Sequence, residues 1–190
     1  MNFHKIFRKF YQQRAKEMCL ECSDFIVKGS KILDLGSGSG IVGKEFQEFF
    51  KSDLIGIDVV DKRVEKIPFM LFDGLNVPFP DNHFDYALIS YVLHHAKDPI
   101  SLLMEAKRVV KERIIIYEDL VEGWMSELFC KIHGLTFSCL FQDKTGCNNF
   151  KKEREWKNIF EDLKLRMVSE KRVSPILSPV DKKLFILEKI

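Results

Sequence analysis

The stretch Lys31-Ile32-Leu33-Asp34-Leu35-Gly36-Ser37-Gly38-Ser39-Gly40 restricts the fold more than any other part of this chain. Lys31 to Leu35 is a short, mostly apolar run with one acid near its end, the pattern of a buried strand. It passes directly into a turn with glycine at every second position. A second run with an acidic end follows in Leu54-Ile55-Gly56-Ile57-Asp58. Strand ends of this kind place a nucleotide-type cofactor at the carboxyl edge of a parallel sheet.

Asp34 discriminates between the cofactors that such a turn can hold. A dinucleotide sets its pyrophosphate on the turn and on the helix N-terminus that follows. A carboxylate beside the turn repels that group and attracts a ligand carrying an ammonium and a sulfonium. S-adenosyl-L-methionine (SAM) is such a ligand and has no phosphate. Glycines let the backbone approach it closely, and Asp58 stands where both ribose hydroxyls can donate to it. Gly38-Ser39-Gly40-Ile41-Val42-Gly43 formally satisfies G-x-G-x-x-G, so NAD(P) is the rival cofactor. Counted from Gly36, where the strand ends, the third glycine position falls on Ile41, which breaks the dinucleotide pattern.

Ile32 to Gly40 resembles motif I of the class I SAM-dependent methyltransferases. Phe84 to His95 resembles the fourth strand and following turn of their small-molecule "type 11" branch. The matches run in family order over nearly the whole chain. The resemblance implies a single α/β domain over 1–190 with a Rossmann-like, doubly wound sheet of seven strands. Their order would be 3-2-1-4-5-7-6, the last strand antiparallel. It implies SAM as cofactor, with Asp34, Gly36, Ser37, Gly38 and Gly40 cradling the methionine part. Asp58 and Val59 would hold the ribose side, Asp73 and Gly74 the adenine, and Ser90 would offer backbone contacts near the sulfonium. It also implies a helical cap over 1–29, with Tyr11 closing the cofactor cleft, and a helical lid over 118–150.

The remaining elements follow from local patterns. Phe3, Ile6, Phe7, Phe10, Arg14, Met18, Cys22 and Phe25 recur at helical spacing and predict one buried stripe. A helix is expected over 41–50 and strands over 53–58, 67–72 and 84–90. Asp98 caps a helix that begins at Pro99 and runs to about Val110. A strand over 113–117, a helix over 152–163 and an antiparallel pair over 165–173 and 184–189 complete the sheet. The connection over 59–66 is short for a crossover helix, which predicts a more open adenine side.

Charge and composition exclude several classes. A net charge of +2 over 190 residues gives no nucleic-acid footprint. There is no run long enough to span a bilayer, and Met1 to Phe10 lacks the apolar centre of a signal peptide, so the cytoplasm is expected. Five cysteines are an odd number and point to free, buried thiols. Cys19-x-x-Cys22 and Cys130-x-x-His133 have zinc-ligand spacing, but helical periodicity favours burial, and no metal is expected.

Methyl transfer from a sulfonium needs mainly positioning and desolvation. A general base, where one is needed, would be His94 or His95 in the turn after the fourth strand. Glu118 and Asp119 form a carboxylate pair at the cleft rim, suited to a cationic substrate or to base catalysis. His133 is a further base candidate in the lid. The chain lacks the Asn/Asp-Pro-Pro-Tyr/Phe motif after that strand and lacks a Pro-Cys nucleophile, so nucleic-acid methylation is not expected. The acceptor expected is small and, from the apolar residues between Trp124 and Phe141, apolar or aromatic. A non-catalytic SAM-binding subunit with a protein partner, and an NAD(P)-dependent oxidoreductase, are the alternatives.

Overall fold

The computed structural model describes residues 8–124, 126–130, 149–174 and 180–190. Its strands are β1 (Lys31–Leu35), β2 (Asp53–Asp58), β3 (Phe69–Leu71), β4 (Phe84–Ser90), β5 (Val110–Leu120), β6 (Leu165–Arg172) and β7 (Asp181–Lys189). The helices used below are α1 (Arg8–Glu21), α2 (Ile41–Phe50), α3 (Pro99–Val109) and α4 (Glu153–Asp162). The seven strands form one sheet in the order β3-β2-β1-β4-β5-β7-β6, as the resemblance implied. β7 runs antiparallel to both β5 and β6, while the other pairings are parallel.

Both faces of the sheet are covered, which explains its near-continuously apolar strands. Ile32, Leu54, Leu88 and Ile115 enter one layer, with Phe46 and Phe50 of α2 and Met18 of α1. Leu33, Ile57, Ile89 and Ile116 of the same strands enter the other, with Leu103 of α3 and Trp156 of α4. Each such side chain, fully buried, contributes roughly 1.5–3 kcal/mol. The Asp98 side chain caps α3 by accepting the N–H groups of Ile100 and Ser101, with Pro99 at the first helical position.

Three expectations need correction. The N-terminal stripe is rotated: Phe10 is 69% exposed, and the buried residues of this segment are Ala15, Met18, Cys19 and Cys22. Arg14 is turned aside to pair with Glu21, its guanidinium 5.7 Å from the centre of the Tyr117 ring. Phe3, Ile6 and Phe7 lie outside the described residues. β3 is shorter than 67–72, because Pro68 has no N–H for the ladder and Arg63 takes the carbonyl of Ile67 at 2.7 Å. β5 is longer than 113–117, because residues Arg113 to Leu120 pair with β7. The 59–68 connection forms no helix, as expected. It folds back instead, and the N–H of Val64 donates to the carbonyl of Ser39 at 2.8 Å. Among the described residues, no helix is long and apolar enough to cross a membrane.

Candidate cofactor site

β1 lies between β2 and β4, so the strand order reverses beside it, where doubly wound sheets open a crevice at their carboxyl ends. The turn after β1 occupies that point. Gly36, Gly38 and Gly40 all have positive φ, of 79°, 51° and 74°. They do different work. A side chain on Gly36 would lie 2.5 Å from a Val92 methyl carbon, so this glycine lets the β1 and β4 turns interlock. A side chain on Gly40 would touch Arg63, Glu65 and Ile67 of the folded-back connection. At Gly38 nothing lies within 4 Å, so Gly38 is where the turn faces open space.

Four of the turn's five N–H groups are already committed. Those of Gly36 and Ser37 donate to the Ile57 carbonyl at 2.8 and 3.1 Å, and that of Gly40 to the Ser37 carbonyl at 2.8 Å. The N–H of Gly38 donates to Asp58 Oδ2 at 2.8 Å. A pyrophosphate needs such donors free. What the site offers is acceptors. Asp58 also takes the N–H of Val59 on Oδ1 at 2.7 Å, and its remaining lone pairs suit two hydroxyl donors.

Asp34 is 1% exposed, and its Oδ2 has no hydrogen-bond partner. That oxygen sits against Gly43, in the first turn of α2, where a side chain would come within 2.5 Å of it. Burial, and to a smaller extent the charge of Asp58, pushes its carboxyl up to about 7. The carboxylate is therefore enclosed against the start of α2 and not exposed at the surface of the turn. A cationic ligand above the turn would meet its field. Ser37 is buried as well, and its hydroxyl packs over Gly56.

On the β2–β3 side, Val59 is 60% exposed and stands 3.0 Å from where a Gly74 side chain would begin. Val60, Leu71 and Leu75 add further exposed apolar surface there. Asp73 shapes its own turn. Its carboxylate accepts the N–H groups of Leu75 and Asn76 and the Asn76 side-chain amide, which holds it below the usual carboxylate range.

Ser90 ends β4 half-buried, next to Tyr91, whose φ of 58° is unusual for a bulky residue. The Tyr91 N–H is held by the Tyr117 carbonyl at 2.8 Å. The two histidines that follow are unlike. His94 is 1% exposed, and its Nδ1 is hydrogen-bonded to Glu118 Oε1; His95 is half-buried beside it. Glu118 and Asp119 are not an open carboxylate pair. Glu118 is 1% exposed, and Asp119 is ion-paired with Lys182 at 2.6 Å. An acid following Ile114-Ile115-Ile116-Tyr117 in so apolar a strand was the sequence signal for a buried partner, and it was missed.

α1 is tied down at both ends of this edge. Arg8 pairs with Glu65 at 2.7 Å, beside the glycine turn, and the Tyr117 hydroxyl donates to the Met18 carbonyl at 3.0 Å. Cys19, Cys22 and Cys130 are buried free thiols, and burial pushes Cys22 up to about 12 and Cys130 to about 11. Among the described residues no group of three or more His, Cys, Asp or Glu could hold a metal. His133 lies outside them. A groove of about 810 Å³ between α4 and β6 is at the far edge of the sheet and contains none of these residues.

Comparison with known proteins agrees with this geometry. Residues 7–170 match a family model described as a methyltransferase domain. A demethylmenaquinone methyltransferase from Corynebacterium kroppenstedtii is 36% identical over 88 residues, 44% of this chain and 38% of that protein. The match thus covers well under half of that relative's length. A SAM-dependent methyltransferase from Aquifex aeolicus superposes with a TM-score of 0.67 at 19% identity, covering 92% of this chain and 89% of the other. Geranyl diphosphate C-methyltransferase from Streptomyces coelicolor, solved with S-adenosyl-L-homocysteine, gives a TM-score of 0.72 at 12% identity, covering 94% and 79%.

Proposed function

Because this chain belongs to the class I SAM-dependent methyltransferases, whose cofactor is S-adenosyl-L-methionine, we propose that it transfers a methyl group to a small, apolar or aromatic acceptor. One observation carries the reading: a glycine turn whose Gly36, Ser37, Gly38 and Gly40 N–H groups are spent on Ile57, Ser37 and Asp58, next to the buried carboxylate of Asp34. Such a site suits a phosphate-free cation with hydroxyl donors and disfavours a dinucleotide.

In this proposal Gly38 gives the methionine part its close approach, while Gly36, Ser37 and Gly40 hold the turn in shape. Asp34 contributes its field. Asp58 accepts the ribose hydroxyls, Val59 and Gly74 flank the adenine, and Asp73 keeps that loop in place. Ser90 borders the sulfonium. Bound there, the cofactor supplies a sulfonium-activated methyl group for in-line displacement. The protein's task is then to align the acceptor and keep water out. His95, the histidine not committed to Glu118, is the candidate base for acceptors that lose a proton. Tyr11, half-buried on α1 between the anchored Arg8 and Met18, is the candidate cap.

The apolar acceptor rests on the residues between Trp124 and Phe141, most of which lie outside the described part. The quinone precursor in the Corynebacterium relative's name is of the same chemical kind. The test is transfer of a labelled methyl group from SAM to reduced naphthoquinones, phenols and small amines. Label in the quinol or phenol fraction supports the proposal. Label confined to amines overturns the acceptor class.

A further inference from the structure

Glu118 is a buried carboxylate that the proposed chemistry does not use, and burying one is costly unless several donors compensate it. Three donors do. Oε2 accepts the N–H of Leu93 at 3.1 Å, and Oε1 accepts the N–H of Asp119 at 2.8 Å together with His94 Nδ1. Leu93 and His94 belong to the turn after β4, and Asp119 to the end of β5. One side chain thus fastens the turn after β4 to the end of β5.

The same turn is gripped from its other side. The ring of Phe150 stacks on that of His94, with centroids 4.4 Å apart and planes 16° from parallel. Asn149 donates its N–H to the His94 carbonyl at 3.0 Å and its side-chain amide to the Ala96 carbonyl at 2.6 Å. Just beyond, the N–H of Val121 donates to the Lys151 carbonyl at 3.2 Å, and Leu120 bridges to Lys151. The segment that leaves β5 and the one that returns before α4 therefore meet at a common base. His94 lies within that base, between Glu118 and Phe150. His95 rests on His94, their ring centroids 4.0 Å apart.

We propose that Glu118 is a positioning residue: through the Nδ1–H of His94 it locks the turn after β4 to the return of the 121–148 segment and so sets the place of His95. This rests on the methyltransferase reading for its purpose, although the lock itself does not. A carboxylate at Nδ1 selects the Nδ1–H tautomer of His94 and leaves Nε2 as the acceptor nitrogen. A glutamine cannot reproduce the arrangement. Its single carbonyl oxygen cannot serve both sides, so its NH₂ would face either the N–H of Leu93 or the Nδ1–H of His94. In the second placement the NH₂ also faces the N–H of Asp119, so a change of His94 tautomer relieves only part of the conflict, and either placement loosens the lock.

The experiment is nitrogen-15 NMR of the histidines in the whole chain, with amide exchange, for wild type and Glu118→Gln, alongside titration with S-adenosyl-L-homocysteine. Wild type should show His94 protonated at Nδ1 with a slowly exchanging proton. The variant should lose that slow exchange, and protection of the Asn149 amide should fall about tenfold. S-adenosyl-L-homocysteine affinity should change by less than about threefold, because the glycine turn is untouched. Wild-type His94 protonated at Nε2 alone overturns the proposal without any need for the variant. Unchanged Asn149 protection in the variant also overturns it. Failure of wild type to bind S-adenosyl-L-homocysteine, with the His94 signal as expected, would strike the methyltransferase reading and leave the lock standing.

Discussion

Asp58 accepts the backbone N–H of Gly38 at 2.8 Å, so the end of β2 holds the middle of the turn that follows β1. The acid proposed to hold the ribose therefore also shapes the surface under the methionine part. Asp58→Asn should affect both. Its amide has one acceptor oxygen, where the carboxylate serves two backbone donors. We expect a stability loss of about 1 kcal/mol by thermal unfolding. We also expect S-adenosyl-L-homocysteine affinity to fall by at least about tenfold. Wild-type affinity in a folded variant would remove Asp58 from the site.

The glycines of the turn should separate in a simple substitution series. Gly36→Ala drives a methyl group into Val92 at a positive φ. Overpacking and left-handed strain together should cost on the order of 3 kcal/mol. Gly38→Ala meets no protein atom within 4 Å and should cost only about 1–2 kcal/mol. Its loss should fall on cofactor affinity instead. Unfolding curves and titrations on the two variants check this. If Gly38→Ala binds as wild type, the close approach is not at Gly38.

Asp34 gives a pH dependence with a definite sign. Its carboxyl is raised from an ordinary 3.8 to about 7 by burial and the nearby Asp58 charge. The folded state thus holds a proton that the unfolded state releases. That stabilising contribution is complete below about 3.8 and is lost as pH rises through about 7. Asp34→Asn removes the dependence. The melting temperature of the variant should gain on wild type steadily between pH 4 and 8. Parallel curves would show that Asp34 is not perturbed by its burial. The same variant should bind SAM at least about tenfold more weakly at pH 8, because the buried negative charge is gone.

Much of this was legible in the chain. The alternation in β1, β2, β4 and β5 sends neighbours into opposite core layers, and that pattern marked a doubly covered sheet. Asp98-Pro99 marked the start of α3, because capping chemistry is local. The misses concern choices made by tertiary contacts. Phe10 reads as core from its spacing, yet α1 packs on the sheet through Met18, Cys19 and Cys22, and Phe10 is left outside. Gly36, Gly38 and Gly40 looked equivalent, and only the approach of Val92 and Arg63 distinguishes them. Glu118 reads as half of a carboxylate pair at the cleft rim, since its partners Leu93 and His94 lie over twenty residues away.

The central claim is that the turn after β1 takes a phosphate-free cofactor. Calorimetric titration of the whole chain with S-adenosyl-L-homocysteine, with NADH as the parallel ligand, tests it most directly. Saturable binding of the first at micromolar concentrations, with none of the second, is the expected result. Binding of NADH in its place would contradict the claim.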